Sequence, residues 1–172
     1  MFDNNVYHDK SKIKQIFAGV IICEDGNVLL GMKKRGFGTG LWNHSFAGKV
    51  EKGEEIIAAA KRELEEESGL KVDENQLKKV GYFEYEFADE SINPKIMEMH
   101  IYKAEAWTGD VQESSEMSPS WCRIADVPYQ KMWADNTYWL EQVLNGQKVR
   151  AYFLYSGLNS IARAQVEVVE TL

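Results

Sequence analysis

Three closely spaced glutamates, Glu63, Glu66 and Glu67, are the side chains of this sequence that most clearly suggest chemistry. Good helix formers fill the stretch between Gly53 and Gly69, which predicts one helix of about four turns with Gly69 as a left-handed C-cap. Successive helix residues lie about 100° apart around the axis, so the three carboxylates share one face beside the apolar stripe. The predicted helix therefore carries a carboxylate cluster at the border of the core.

Like charges at this spacing favour a bound cation. Glutamates three or four positions apart repel, and carboxylates near a helix C-terminus oppose its dipole. A solvated acidic face, with local pairs such as Arg62–Glu66, explains Glu54, Glu55 and Glu65 but not the carboxylates beside the apolar stripe. A hard divalent cation explains those better, since Mg²⁺ in proteins is held by one or two carboxylates together with substrate phosphates.

The same stretch carries a longer motif. From Gly48 to Leu70 the sequence reads GKVEKGEEIIAAAKRELEEESGL, with a glycine, a glutamate after five residues and the pattern REL-x-EE-x-GL after seven more. This arrangement resembles the complete Nudix box. The resemblance implies a Nudix hydrolase, which cleaves a nucleoside diphosphate linked to a further group with Mg²⁺, or alternatively Mn²⁺, as cofactor.

The likeness extends from about residue 17 to residue 172. The segments VLLGMKKRGFGTGLWN and KMWADNTYWL resemble the MutT-homologue branch of the family, the oxidised-purine nucleoside triphosphatases of animals. This implies hydrolysis of modified purine nucleoside triphosphates, such as 8-oxo-dGTP and 2-hydroxy-dATP, with methylated purines as a close variant. The products would be a monophosphate and pyrophosphate, and the activity would cleanse the nucleotide pool and so prevent DNA damage.

The resemblance also implies a metal site on the acidic helix face. Arg62 would orient Glu66 through an i,i+4 ion pair, and either Glu63 or Glu67 can be the general base. The implied catalytic residues are Glu63, Glu67, Glu66 and Arg62. The implied metal ligands are Glu63, Glu66, Glu67, Glu116 and the backbone of Ala47.

A second implied set would bind the nucleotide. A purine has a flat face and a polar edge, which suit an aromatic side chain with a carboxyl and an amide nearby. Trp133 would stack on the base and Asp135 would hydrogen-bond it, beside Asn136. The residues implied for the rest of the nucleotide site and the pocket wall are Lys33, Asn43, Phe46, Ala47, Gly48, Lys49, Phe37, Tyr85, Phe87, Met97, Met117 and Tyr155.

Three places depart from the pattern of the resembled enzymes. Asn136 stands where they have a second aspartate, and an amide cannot change charge as paired carboxyls can. The segment NHSF is one residue longer than the equivalent segment of those enzymes, which would displace Asn43. From sequence alone, we expect its His44 to lie on the surface. Ala18 and Gly19 stand where they have a threonine and a leucine, which removes a side-chain contact and some bulk.

Other functions share parts of this pattern. A Nudix hydrolase for ADP-ribose, a dinucleoside polyphosphate or an ordinary dNTP is the nearest alternative. An isopentenyl diphosphate isomerase-like enzyme has the same fold but would require an altered box and a catalytic cysteine. A non-catalytic nucleotide-binding module has no need of all the metal carboxylates. The intact carboxylate set favours the hydrolase.

Composition limits the partners. The chain has 172 residues and a net charge of −7, which argues against duplex nucleic acid. It has no long apolar run, so we expect a cytoplasmic monomer without a membrane partner.

The two cysteines, Cys23 and Cys122, lack metal-ligand spacing. We expect reduced, buried thiols, with a disulfide as the alternative.

The order of elements indicates the fold class. Strands, a helix, strands, a helix and strands, joined by hairpins, predict an α+β protein with a mixed β-sheet between helices. The resemblance implies the Nudix α/β/α sandwich. The length predicts a single domain, over 13–172, and the polar, unpatterned start of the chain predicts a flexible tail over 1–12. The predicted segments are β-structure over 14–34 with a hairpin turn at 24–27, a mobile glycine-rich loop at 35–40 beside the pocket, strands at 77–88, 96–107, 120–124, 150–155 and 160–170, and a second helix at 129–144.

Overall fold

The computed structural model describes residues 10–93 and 95–172. The predicted flexible tail lies outside this range except for a 3-10 turn at Lys10–Lys12. The strands are β1 (Gln15–Ile21), β2 (Cys23–Glu24), β3 (Asn27–Lys33), β4 (Trp42–Asn43), β5 (Phe46–Lys49), β6 (Leu77–Phe87), β7 (Ile96–Ala104), β8 (Met117–Arg123), β9 (Lys148–Tyr155) and β10 (Ile161–Val169). The α-helices are α1 (Ile56–Ser68) and α2 (Asn136–Leu144).

Six strands form the main sheet, in the order β10-β9-β6-β7-β1-β5. The pairs β1/β7 and β6/β9 are parallel, and the remaining neighbours are antiparallel. The predicted mixed sheet is therefore confirmed.

A second, smaller sheet has four strands. It has β3 at its centre, with β2, β4 and β8 paired to it. Asp25 and Gly26 turn β2 into β3 with φ of 49° and 78°, the left-handed values of a two-residue hairpin. The hairpin turn predicted at 24–27 is confirmed, although its first strand is only two residues long because β1 joins the main sheet instead.

The main sheet lies between the two helices. Val20 and Ile21 are neighbours on β1 but belong to different hydrophobic clusters, because successive strand residues point to opposite faces. The Val20 cluster contains Ala59, Ala60 and Leu64 of α1, and the Ile21 cluster contains the buried hydrophobic residues of α2. This layering confirms the α+β sandwich. In the described part of the chain, no helix is long and apolar enough to cross a membrane.

The second helix is shorter than the prediction of 129–144. The segment Tyr129–Lys131 is a separate 3-10 turn, and α2 begins only at Asn136. The intervening residues turn inward instead: Met132 is buried in the core, and Asp135 accepts buried hydrogen bonds. Propensity alone could not show this break, because it is made by long-range contacts.

Strand ends also differ from the prediction. β8 starts at Met117, three residues before the expected 120, because Met117 pairs with Lys33 at the end of β3. β7 ends at Ala104 rather than at 107. The other strand ends differ from the prediction by one or two residues.

The two cysteines are half-buried and free. Cys23 and Cys122 both pair with Val28, from opposite sides of β3. Two strand spacings separate them, roughly 9–10 Å, which exceeds the ~7 Å that a disulfide spans without backbone movement. The fold thus supports reduced thiols, although they are less buried than predicted. Burial raises the pKa of both.

Candidate active site

Arg62 organises the acidic end of the site. Its Nε and Nη2 donate to the two carboxylate oxygens of Glu54 at 2.8 and 3.0 Å, and Nη2 also donates to the Lys49 carbonyl at 2.9 Å. Its Nη1 donates to Glu63 at 2.6 Å and to Glu66 at 3.3 Å. The predicted Arg62–Glu66 ion pair is present, but the expectation that Glu54 is merely solvated is wrong, since this carboxylate ties the preceding loop to α1.

The helix ends where its C-cap was predicted. The amide of Gly69 donates to the Glu65 carbonyl at 2.9 Å, with φ of 78° at Gly69. The acidic face before it is graded in depth: the side chain of Glu66 is 59% exposed, that of Glu63 is 12% exposed, and Glu67 is 2% exposed. The carboxylate cluster thus reaches from the surface into the core.

Gly48 makes room for Glu63. A Cβ at Gly48 would overlap the Glu63 carboxylate. The backbone of β5 and the acidic face of α1 are therefore in direct contact, which only glycine permits at this position.

Burial sets the charge state of the deepest carboxyl. It raises the pKa of Glu67 to about 8; Lys33 opposes this rise, and Glu63 and Glu116 add to it. Neither oxygen of Glu67 has a hydrogen-bond partner of normal geometry in the described chain, although the nearby Ala47 backbone lowers the pKa somewhat. Burial likewise raises the pKa of Glu63.

These residues fit a divalent cation. Two buried, unpartnered oxygens on Glu67, surrounded by further carboxylates, are stabilised when a cation is near them. Across residues 10–93 and 95–172, no three acidic, histidine or cysteine side chains already form a closed metal centre. Glu116 is paired with Arg35 at 3.1 Å on the rim, yet its charge influences both Glu63 and Glu67. All four predicted carboxylates therefore share one neighbourhood.

An apolar cavity of about 190 Å³ lies next to this acidic region. Lys33 and Ala47 belong to both places, because they line the cavity and also influence the pKa of Glu67. The lining residues are Phe17, Lys33, Phe37, Asn43, His44, Ser45, Ala47, Tyr85, Phe87, Met97, Met99, Trp133, Asp135, Asn136 and Tyr155.

Aromatic rings form one end of the cavity. Phe37, on the glycine-rich loop, stacks on Trp133 with ring centres 5.0 Å apart and an angle of 28°. The ring of Tyr155 meets Trp133 edge-on at 6.2 Å. Phe37 is 54% exposed, so this end of the cavity opens to solvent. The loop borders the cavity as predicted, while its mobility stays a prediction.

The polar end of the cavity, formed by the residues around Asp135, is anchored by the carboxyl of Asp135. Its Oδ2 accepts from Tyr85 Oη at 2.9 Å and from Trp139 Nε1 at 2.8 Å, and its Oδ1 accepts from Tyr155 Oη at 2.6 Å. Burial raises the pKa of Asp135, and these three donors oppose that rise. Next to it, Asn136 donates through Nδ2 to the Trp133 carbonyl at 2.9 Å, while its buried Oδ1 has no partner in the described residues.

His44 is part of this polar end and not of the surface, so the surface expectation is wrong. Its ring packs edge-on against Trp139 with centres 4.7 Å apart, and burial lowers its pKa to about 3. Its Nδ1 is buried without a partner among the described residues. The longer NHSF segment thus folds inward, and Asn43 still lines the cavity.

The structure brings most of the predicted nucleotide residues together but not all of them. Phe46 and Met117 are buried in the hydrophobic core and do not line the cavity, contrary to expectation. Lys49 is exposed and contributes its carbonyl to Arg62, while Gly48 contacts Glu63. The remaining predicted nucleotide and wall residues line the cavity: Lys33, Phe37, Asn43, Ala47, Tyr85, Phe87, Met97, Trp133, Asp135, Asn136 and Tyr155.

Sequence reasoning missed four lining residues. Met99 has a signal, because it follows Met97 at the strand period of two, and Phe17 pairs directly with Met99. His44 and Ser45 have none beyond the added length of their segment. Of the substituted pair on β1, Ala18 lies in the core, and Gly19 has no room for a side chain because the Ala47 methyl group occupies that space.

Comparison with known proteins identifies the class. The NUDIX domain family matches residues 14–143. The chain therefore belongs to the Nudix family of hydrolases, which generally use divalent metals.

Two relatives are similar over nearly the whole chain, and both are named oxidized purine nucleoside triphosphate hydrolase. The zebrafish (Danio rerio) protein is 44% identical over 153 residues, covering 89% of this chain and 94% of its own. The mouse (Mus musculus) protein is 40% identical over 157 residues, covering 91% and 97%. Among solved structures, the MutT protein of Bacillus halodurans superposes with a TM-score of 0.77 at 25% identity, covering 89% of this chain and 97% of its own.

Proposed function

We propose that this protein hydrolyses oxidised or otherwise modified purine nucleoside triphosphates to the monophosphate and pyrophosphate, with Mg²⁺ as the metal and Mn²⁺ as a substitute. One observation carries the proposal: the aromatic cavity and the acidic helix face are contiguous through Lys33 and Ala47. A base held in the cavity would direct its phosphates towards the carboxylates. The names of the zebrafish and mouse relatives support the same substrate class.

The acidic residues would hold the metal and the attacking water. A bound divalent cation neutralises charge that develops on the phosphates and lowers the pKa of water. Glu63, Glu66, Glu67 and Glu116 would hold it, with the Ala47 backbone. Arg62 is a positioning residue, because it fixes Glu63 and Glu66 relative to Lys49 and Glu54.

Of the two candidate bases, the contacts favour Glu67. An oxygen of Glu63 already accepts a 2.6 Å hydrogen bond from Arg62, whereas both oxygens of Glu67 are without a partner in the described chain. A cation beside Glu67 would favour its ionised form, and the ionised carboxylate would accept the proton of the attacking water. Lys33 lines the cavity and lowers the pKa of Glu67, so its ammonium would pair with a phosphate there.

The cavity would select the base. Phe37 and Trp133 offer flat faces for stacking, and Asp135 with Asn136 offers a polar edge.

We further propose that residues 13–172 form one domain that acts as a monomer in the cytoplasm, without duplex nucleic acid or a membrane as partner. Light scattering on the purified protein tests the monomer.

The activity test is pyrophosphate release with Mg²⁺ from a panel of 8-oxo-dGTP, 2-hydroxy-dATP, O6-methyl-dGTP, N6-methyl-dATP, dGTP and dATP. ADP-ribose completes the panel and is scored by release of AMP. Glu67→Gln serves as the inactive control. The proposal predicts that the oxidised purines 8-oxo-dGTP and 2-hydroxy-dATP exceed dGTP and dATP by about tenfold in kcat/KM, or about 1.4 kcal/mol. Equal rates across the panel, or cleavage of ADP-ribose alone, would contradict it.

A further inference from the structure

The side-chain amide of Asn136 lines the cavity in a fixed orientation. Its Nδ2 donates to the Trp133 carbonyl at 2.9 Å, so the amide cannot reverse without losing that bond. Its Oδ1 is left as an acceptor, and this atom is buried without a partner among the described residues. Asn136 is only 2% exposed and lines the cavity. A hydrogen-bond donor on a molecule bound in the cavity would satisfy this oxygen.

Asp135, one residue earlier, also presents only acceptors. Three buried donors, from Tyr85, Trp139 and Tyr155, converge on its two oxygens. The indole N–H of Trp139 cannot accept, and the geometry suits a carboxylate that receives all three bonds. A donor from a ligand can still reach a free lone pair of Asp135, but a ligand acceptor cannot be satisfied there. The polar end of the cavity is therefore a pair of adjacent acceptors.

We propose that this pair selects purines that present two neighbouring N–H donors, which makes Asn136 a specificity-determining residue. The inference rests on the proposed function and refines its substrate class. Guanine bases offer N1–H beside the 2-amino group, and 2-hydroxyadenine in its oxo form offers N1–H beside the 6-amino group. Adenine, N6-methyladenine and O6-methylguanine instead have a lone pair at N1, which would face an acceptor. The site therefore rejects the methylated purines that a pair of proton-sharing carboxyls could accommodate.

Two substrate pairs test this directly, because the members of each pair differ in whether N1 carries a proton. The pairs are 2-hydroxy-dATP with dATP, and dGTP with O6-methyl-dGTP. We expect kcat/KM, measured by pyrophosphate release with Mg²⁺, to favour the N1–H member at least tenfold in both pairs. Ratios near one in both pairs would overturn the inference while leaving triphosphate hydrolysis in place.

Asn136→Asp provides the second test. A carboxyl beside Asp135 can hold a proton and donate it to N1, so both ratios should fall at least threefold in this variant. Asn145→Asp makes the same chemical change at the exposed C-terminal end of α2 and should leave both ratios unchanged. A folded Asn136→Asp variant with the wild-type ratios would remove Asn136 from base selection. If no purine triphosphate is cleaved and ADP-ribose is, the proposed function fails, and this inference fails with it.

Discussion

Both carboxylate oxygens of Glu54 are held by the guanidinium of Arg62, at 2.8 Å from Nε and 3.0 Å from Nη2. The same guanidinium contacts the Lys49 carbonyl and Glu63. Arg62 therefore fixes the strand and loop before α1 against the acidic face of the helix, so it stabilises the fold and the site together.

Replacing this arginine should cost both stability and activity. Arg62→Lys keeps the charge but cannot form the planar two-point contact with Glu54. We expect the free energy of unfolding, measured by urea denaturation, to fall by about 1–3 kcal/mol and kcat to fall with it. Lys61→Arg, at the neighbouring position, is the matched control and should change neither. Wild-type stability in Arg62→Lys would show that the contacts of Arg62 contribute little.

Gly48→Ala should disrupt the site from the strand side. The added methyl group would overlap the Glu63 carboxylate, so the strand or the helix must move. We expect about 1–3 kcal/mol of destabilisation, as for overpacking in a core, together with loss of pyrophosphate release. Gly157→Ala is the control, because a Cβ there meets no atom within 4 Å. Unchanged activity in Gly48→Ala would mean that the position of Glu63 is unimportant.

Glu67→Gln should remove turnover without unfolding the protein. Loss of a general base typically costs about 10²–10⁴ in rate, and the amide also weakens metal binding. The thermal midpoint of the wild type should rise on addition of Mg²⁺ and that of Glu67→Gln should rise less, because a ligand stabilises only the state that binds it. Glu65→Gln, at an exposed position paired with Lys71 at 3.3 Å, should behave as wild type. Near-normal turnover in folded Glu67→Gln would exclude this residue from the chemistry.

The buried His44 should make stability depend on pH. Its pKa falls from 6.5 to about 3 in the folded protein, so below pH 6.5 the unfolded chain binds a proton that the folded chain does not. The contribution of His44 to stability is therefore fully present above pH 6.5 and is lost progressively as the pH falls towards 3. Between pH 6.5 and 5 the loss is roughly 2 kcal/mol, at about 1.4 kcal/mol per unit.

Urea denaturation at pH 7 and pH 5 measures this loss. His44→Gln cannot titrate at this position, so its stability should fall less between the two pH values than that of the wild type. Identical pH dependence in the two proteins would show that the pKa of His44 is the same in the folded and the unfolded chain.

The elements predicted best are those whose signals are local. The helix α1 and its Gly69 cap follow from composition and spacing within one continuous stretch. The acidic face could equally be predicted, because helical periodicity alone places Glu63, Glu66 and Glu67 together. What spacing could not show is their depth, which depends on β1 and β5 packing over the helix.

The base cavity was harder to predict because distant segments build it. Phe46 and Met117 resemble pocket residues in sequence, yet both point into the core on the α1 side of the sheet. His44 looks like a surface residue until Trp139, far along the chain, is seen to cover it. The orientation of the Asn136 amide is set by a single bond to Trp133, which no sequence pattern specifies.

This division between a continuous acidic segment and a dispersed cavity has an evolutionary consequence. Most of the groups that would act on phosphate lie in one continuous stretch of sequence between Phe46 and Ser68. The groups that would read the base come from several strands and from the turn before α2, where single substitutions such as that at Asn136 change one edge contact alone. Mutation can thus alter which base is admitted while the hydrolytic segment persists, and the same division lets an engineer redesign substrate choice without rebuilding the chemistry.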